Sequence, residues 1–303
     1  MELIAHDVYA ADETQLRVWE QTTDGAEEAV LFLHGGMTSS KALLAPPVPD
    51  DDSYSWLNRA AEHGQAVFAL DVRGYGESER PPEMQVPPEE NGPAVRAADA
   101  AMDVEAAYEF VRDRFDAIHL VGISWGTMTG GTFVSESAPE LESLVLCAPV
   151  YAPPYDFEDG LAGLGLEPGL DAYYKEEKPT VMARQGMEEP TPLFEAIWET
   201  QVSSNQGVEG EDAYIAQTGA LADVRDGCEG TPVYDADAIE VPTLVVRGSE
   251  DAVAQRSDAL TLYDELGSDE KQYLEIGGGT HFVMHGPHRH SLYDSVYDFQ
   301  QRF

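Results

Sequence analysis

The chain has 303 residues, 43% of them hydrophobic, which is the make-up of a folded protein with one sizeable core. It carries 57 Asp and Glu against 17 Lys and Arg, a formal net charge of −40, so DNA and RNA phosphates would be repelled and no nucleic-acid partner is expected. No apolar run approaches the ~18 residues of a membrane span.

The predicted elements follow in chain order. Residues 28–34 form a short apolar run that stops at Gly35-Gly36, and residues 65–71 form a second that stops before Arg73-Gly74-Tyr75-Gly76. Across 97–115 the helical spacing sets Ala98, Ala101, Met102, Val104, Ala107, Tyr108 and Val111 on one side. A strand over 117–122, a helix over 125–137 and a strand over 144–148 come next. Short continuous apolar runs alternating with helices are the pattern of a parallel sheet buried on both faces. Near residue 150 the pattern breaks. Residues 151–235 open on Pro153-Pro154 and hold short helical pieces rich in Gly and acid, with no candidate strand. It resumes with a strand over 243–248, a helix over 256–266, a strand over 271–276 and a helix over 289–302. The expected architecture is α/β: a mostly parallel central sheet flanked by helices, built from 1–150 and 236–303, with 151–235 inserted as a helical cap.

Gly122-Ile123-Ser124-Trp125-Gly126 matches G-x-S-x-G. In a chain with 27 glycines the pattern alone says little, but here it directly follows a strand and directly precedes a helix. That bend needs a strained serine backbone and small residues two positions to either side. It leaves the hydroxyl clear of the sheet at a helix N-terminus, where a developing anion is favoured. His34-Gly35-Gly36, the stretch Asp71 to Ser78, Gly248 to Asp251 and Thr280-His281-Phe282 stand around it in order. With these motifs the chain resembles the α/β-hydrolase superfamily along nearly all its length except 151–235. The resemblance implies a nucleophile, acid and base in the order Ser124, Asp251, His281.

The residues support those roles chemically. A serine hydroxyl needs an adjacent base that titrates near neutrality, hence a histidine. Of the eight histidines, His281 follows the last strand and Gly277-Gly278-Gly279, where the resemblance places the base. Asp251 follows the strand over 243–248 in the position the resemblance gives the orienting acid, with Glu250 as its one-residue-offset competitor. The alternative family position, after 144–148, holds no acid. A tetrahedral intermediate needs two N–H donors. One is expected from Trp125, the other from Gly36, with Met37 as the alternative. Asp71 and Arg73 read as loop-fixing residues. His281 and His285 are four apart, but no carboxylate or cysteine completes a ligand pattern, so no metal site is expected and His285, His288 and His290 read as surface or capping residues.

The expected reaction is hydrolysis of a small acyl substrate, a carboxylic ester, through an acyl-enzyme, with no cofactor. A serine rather than an aspartate nucleophile argues against epoxide hydrolase or dehalogenase chemistry. A proline iminopeptidase-like aminopeptidase is the runner-up. Trp125 and the loop Asp71 to Ser78 resemble that family, but its His-Gly-Gly-Pro-Gly is here His34-Gly35-Gly36-Met37-Thr38. An acyltransferase, a cofactor-free haloperoxidase and a ligand-binding protein on the same fold are further alternatives. Met182, Met187, Phe194, Trp198 and Tyr214 in the insertion read as cap core that could also line an acyl pocket. The start, Met1-Glu2-Leu3-Ile4, lacks a basic segment before an apolar one, so a soluble cytoplasmic protein is expected. Cys147 and Cys228 do not make a disulfide framework. The dispersed acid and the four lysines suit a cell with concentrated internal salt, as in a halophilic archaeon, because molar salt cuts the Debye length to roughly 3 Å and relieves self-repulsion.

Overall fold

The computed structural model describes residues 3–163, 165–166 and 169–303. The chain starts with two strands that the apolar pattern does not reveal, β1 (Ile4–Tyr9) and β2 (Gln15–Gln21), paired antiparallel with Ile4 opposite Glu20. Polar residues interrupt both, and β1 is a largely exposed edge strand. The chain continues with β3 (Glu28–Leu33), α1 (Ser40–Leu44), α2 (Trp56–Glu62), β4 (Ala66–Asp71), α3 (Ala97–Arg112), β5 (Ala117–Ile123), α4 (Trp125–Ser137) and β6 (Ser143–Cys147). The short helices α1 and α2 were not anticipated. After an insertion come β9 (Thr243–Gly248), α9 (Arg256–Glu265), β10 (Lys271–Ile276) and α10 (Arg289–Gln300).

The eight strands make one sheet in the order β1-β2-β4-β3-β5-β6-β9-β10, parallel from β4 onward with only β2 opposed to its neighbours. Alternation along each strand divides the core. On β3, Ala29, Leu31 and Leu33 join a cluster with Val104 and Val111 of α3 and Met128 and Phe133 of α4. Val30 and Phe32 join the opposite cluster with Trp56 and Leu57 of α2 and Tyr293, Val296 and Phe299 of α10. Fully burying side chains of this kind contributes about 1.5–3 kcal/mol each, so both faces of the sheet are held by helices.

Helix α3 buries most of the predicted face, Ala101, Val104, Ala107, Tyr108 and Val111, but departs from it at its N-terminal end. Ala98 is exposed and Met102 is 37% exposed, whereas Asp103 is buried. The reason is electrostatic: Arg73 Nη2 lies 2.6 Å from Asp103 Oδ1, and Asp12 takes Nη1 at 2.7 Å. A buried charge is tolerated because a guanidinium fork meets it.

The insertion between β6 and β9 is not purely helical. It contains α5 (Phe157–Gly163), β7 (Tyr173–Glu177), α6 (Lys178–Arg184), α7 (Pro192–Val202), β8 (Ala213–Gln217) and α8 (Gly219–Cys228). Strands β7 and β8 pair antiparallel, with Tyr173 opposite Gln217. β7 reads as a charged loop because Lys175-Glu176-Glu177 carries no apolar alternation, and its partner lies far along the chain.

Candidate active site

β5 runs into α4 with Ser124 alone between them, at φ 53° and ψ −118°. Such a backbone costs on the order of 1–3 kcal/mol and persists only where its surroundings impose it. Here Ser124 N donates to Cys147 O at 2.9 Å, and the Thr127 N–H and hydroxyl donate to Ser124 O at 2.8 and 2.6 Å. The flanking glycines are required by space. A Cβ on Gly122 would lie 2.3 Å from Gly126 O, and one on Gly126 2.4 Å from Leu33 O.

The structure brings Ser124, His281 and Asp251 together. His281 Nε2 is 3.0 Å from Ser124 Oγ, and His281 Nδ1 is 2.9 Å from Asp251 Oδ2. A proton on Nδ1 satisfies the carboxylate and leaves the Nε2 lone pair facing the serine hydroxyl. The second carboxylate oxygen of Asp251 accepts the N–H groups of Val253 and Ala254, both at 2.9 Å. Glu250 is exposed while Asp251 is buried, which separates the two acidic candidates.

The loops after β9 and β10 are fastened to each other. A Cβ at Gly248 would lie 2.2 Å from Gly279 O. Glu250 N donates to Gly279 O at 2.8 Å, and Gly278 N to Ser249 Oγ at 2.8 Å. Arg247, buried in β9, donates to Ala254 O at 2.7 Å, to Asp251 O at 3.0 Å and to Glu275 Oε2 at 2.9 Å. It braces the acid from behind. A charged residue in a strand buried on both faces was the available signal for it, and the sequence reading passed it over.

The loop after β3 supplies the second wall. His34 is buried, donates from Nδ1 to Gly35 O at 2.7 Å and accepts Val72 N at Nε2 at 3.1 Å. Burial lowers its pKa to about 4, so the ring stays neutral, as those two bonds require. Met37 has φ 73° and donates its N–H to the Tyr75 hydroxyl at 3.2 Å. The amides of Gly36 and Trp125 bond to no other group among the described residues. Their residues are adjacent, since a Cβ on Gly36 would lie 3.9 Å from Trp125 Cβ and 3.1 Å from Ala220 Cβ. Of the two residues considered for the second donor, Met37 is thus engaged and Gly36 is free.

Asp71 lies beside this loop rather than in it. Its oxygens accept Ser40 N at 2.8 Å, the Trp19 indole at 2.9 Å and Glu77 N at 3.1 Å. Burial raises its pKa to about 6 against these three donors. Of the surface and capping roles expected for His285, the contacts fit capping: its Nε2 lies 2.8 Å from Leu43 O in the last turn of α1, and burial lowers its pKa to about 4. His288 and His290 are exposed.

The insertion closes on the same loop. Phe194, Trp198 and Tyr214 form a cluster with Val181 and Ala216, against which Met182, Met187 and Met37 pack. Phe157, Leu161, Leu166 and Leu221 form a second, and Met37 and Tyr174 touch both. Gln201 on α7 accepts Ser39 N at 3.0 Å and donates to Met37 O at 3.0 Å. Asp223 on α8 accepts the Trp125 indole N–H at 2.7 Å. Gln201 follows Glu199-Thr200 and Asp223 stands between Ala222 and Val224, and nothing in either stretch names the partner.

Residues 28–286 match the family described as alpha/beta hydrolase fold. A carboxylesterase of Bacillus subtilis (strain 168) is 24% identical over 291 residues, covering 93% of this chain and 95% of that protein. Among solved structures, an esterase from Exiguobacterium antarcticum superposes with a TM-score of 0.68 at 16% identity, covering 98% of this chain and 100% of its own. E-2-(acetamidomethylene)succinate hydrolase superposes with a TM-score of 0.67 at 21% identity, covering 99% and 100%. The parallel sheet, the strained serine between β5 and α4, and the family match over most of its length make this chain a member of the alpha/beta hydrolase fold family and an enzyme of that family.

Proposed function

We propose that the protein hydrolyses carboxylic esters through an acyl-enzyme on Ser124, with His281 as general base and Asp251 as orienting acid. The observation that carries this reading is the unbroken hydrogen-bond line Asp251–His281–Ser124 beside two unengaged amides. Ser124 Oγ bonds to the acyl carbon while its proton passes to His281 Nε2. Asp251 holds the imidazolium. The amides of Gly36 and Trp125 stabilise the tetrahedral oxyanion, a contribution whose loss typically costs 10²–10³ in rate. The leaving alkoxide departs with the proton from His281. Water then attacks the acyl carbon, its proton goes to His281, and Ser124 Oγ regains a proton as the acid leaves.

Residues 151–235 serve in this reading as a cap over the acyl group. Met37 packs there against the two apolar clusters that hold Trp198 and Phe157, a setting suited to an acyl chain. The two buried carboxylates of the insertion, Glu176 and Asp223, are paired with Arg184 and Arg96, so neither stands free to hold the ammonium of an aminopeptidase substrate. The curated carboxylesterase relative supports the ester class as well. The net charge of −40 supports activity in concentrated salt.

The test is turnover of p-nitrophenyl esters of graded chain length in molar KCl, with proline p-nitroanilide alongside. Wild type should cleave short esters and spare the anilide, and Ser124→Ala should lose the activity with an unchanged circular dichroism spectrum. Turnover retained in Ser124→Ala would remove the assignment, and faster anilide cleavage would replace the ester with an aminopeptidase substrate.

A further inference from the structure

Trp125 carries one of the two oxyanion amides, and its side chain is fixed from two sides. The indole is fully buried, with the Tyr75 ring 5.9 Å away on one side. On the other its Nε1–H donates to Asp223 Oδ2 at 2.7 Å. The same carboxylate oxygen accepts Ala97 N at 2.8 Å, and the other accepts Arg96 Nε at 2.5 Å. Asp223 therefore accepts three hydrogen bonds, two on Oδ2 and one on Oδ1, and it is buried. It belongs to the insertion, whereas Trp125 begins α4 and Ala97 begins α3. On the core side, Tyr75 also receives the Met37 N–H. The carboxylate and the tyrosine thus hold the two donor-bearing segments, Gly36-Met37 and Trp125, in one register.

From this arrangement we propose that Asp223 is a positioning residue for catalysis: through the Trp125 indole it aims the Trp125 amide at the oxyanion, so that the insertion completes the oxyanion hole. The proposal rests on the ester-hydrolase reading above. Its physical basis is that an oxyanion donor works only when it is aimed beforehand. Mis-aiming removes stabilisation from the transition state and leaves ground-state binding largely intact, so the loss falls on kcat rather than KM.

The experiment is a double-mutant cycle on kcat and KM with a short p-nitrophenyl ester in molar KCl, using Asp223→Asn, Trp125→Phe and the pair. Trp125→Phe leaves Asp223 bonded to Arg96 and Ala97, so it deletes the indole contact without unpairing the carboxylate from its other donors. Each single variant should lose roughly ten- to a hundredfold in kcat with KM within about twofold, and the pair should be no slower than the worse single variant. Arg225→Met serves as the control, since it removes an ion pair to Asp226 on the same helix and leaves Asp223 and the Trp125 indole untouched. Its kcat should stay within about threefold. Multiplicative losses in the pair, or a loss confined to KM, would overturn the role of Asp223 with the ester reading intact. If Asp223→Asn does not fold, Trp125→Phe decides alone, and an unchanged kcat there overturns the proposal. A wild type that turns over no ester would bring down both readings together.

Discussion

Single residues at this site are constrained by geometry that can be put in ångströms. At Gly126 an added methyl would meet the Leu33 carbonyl at 2.4 Å, so Gly126→Ala must displace a central strand or the elbow itself. The expected result is a loss of several kcal/mol, about the scale of the largest single-site effects, read as failure to fold or a large fall in denaturation midpoint. Asp251→Asn and Glu250→Gln separate the two acids. Asp251→Asn should cut kcat by about 10³–10⁴ through loss of the histidine tautomer, while the exposed Glu250→Gln should stay near wild type, both measured as initial rates. His34 gives a pH signature. Burial lowers its folded pKa to about 4, below the 6.5 of a free histidine, so between those values the unfolded chain binds a proton that the native state refuses. Stability from this group is therefore lost as pH falls through that window, by about 2–3 kcal/mol near pH 4.5. Because His34→Asn cannot titrate, its stability deficit relative to wild type should shrink between about pH 7 and 4.5 in urea melts. A deficit that stays constant would contradict the neutral buried ring. The motif residues were legible because each is tied to a local backbone demand that the sequence displays: small residues beside Ser124, a glycine run before His281. Asp223 and Gln201 were not, because what they do depends on a partner more than 90 residues away in the chain.

Elements were legible where burial on both faces leaves an apolar run. β3, β4, β5, β6 and β9 belong to that class, and their predicted bounds, like those of the half-buried edge strand β10, differ from the observed ones by a residue or so. The pattern failed where one side of a strand meets solvent or charge. β1 and β2 exchange ion pairs such as Arg17–Asp7, and β7 turns Lys175 toward Glu211. On α3 it placed Ala98 and Met102 inward and missed Asp103, since apolarity alone cannot foresee that Arg73 will draw Asp103 inward. The brace from β9 belongs to this scale. Arg247→Met would leave the carbonyls of Asp251 and Ala254 without their donor, at about 1–3 kcal/mol for each buried group. The expected outcome is a lower Tm together with a reduced kcat, because the loop that carries Asp251 loses its support. An equal drop in Tm with kcat unchanged would mean the loop keeps its shape without the arginine.

At the scale of the whole molecule, charge dominates. With −40 formal charges on 303 residues, self-repulsion opposes compaction until counter-ions screen it. Tm should rise steeply as KCl goes from about 0.1 to 3 M, across which the Debye length falls from roughly 10 Å to below 3 Å. A flat or falling Tm would refute salt adaptation. Among the described residues no helix is long and apolar enough to cross a membrane. The attachment of the insertion to the core has a consequence for traffic. Gln201 grips Ser39 and Met37, Asn205 N bonds Gly76 O, and Gly219 N bonds Ala94 O. Swinging the whole segment outward would tear the very strip of backbone that flanks Gly36. If the segment caps the site as proposed, one transplanted from a relative should change the speed of turnover along with the choice of guest.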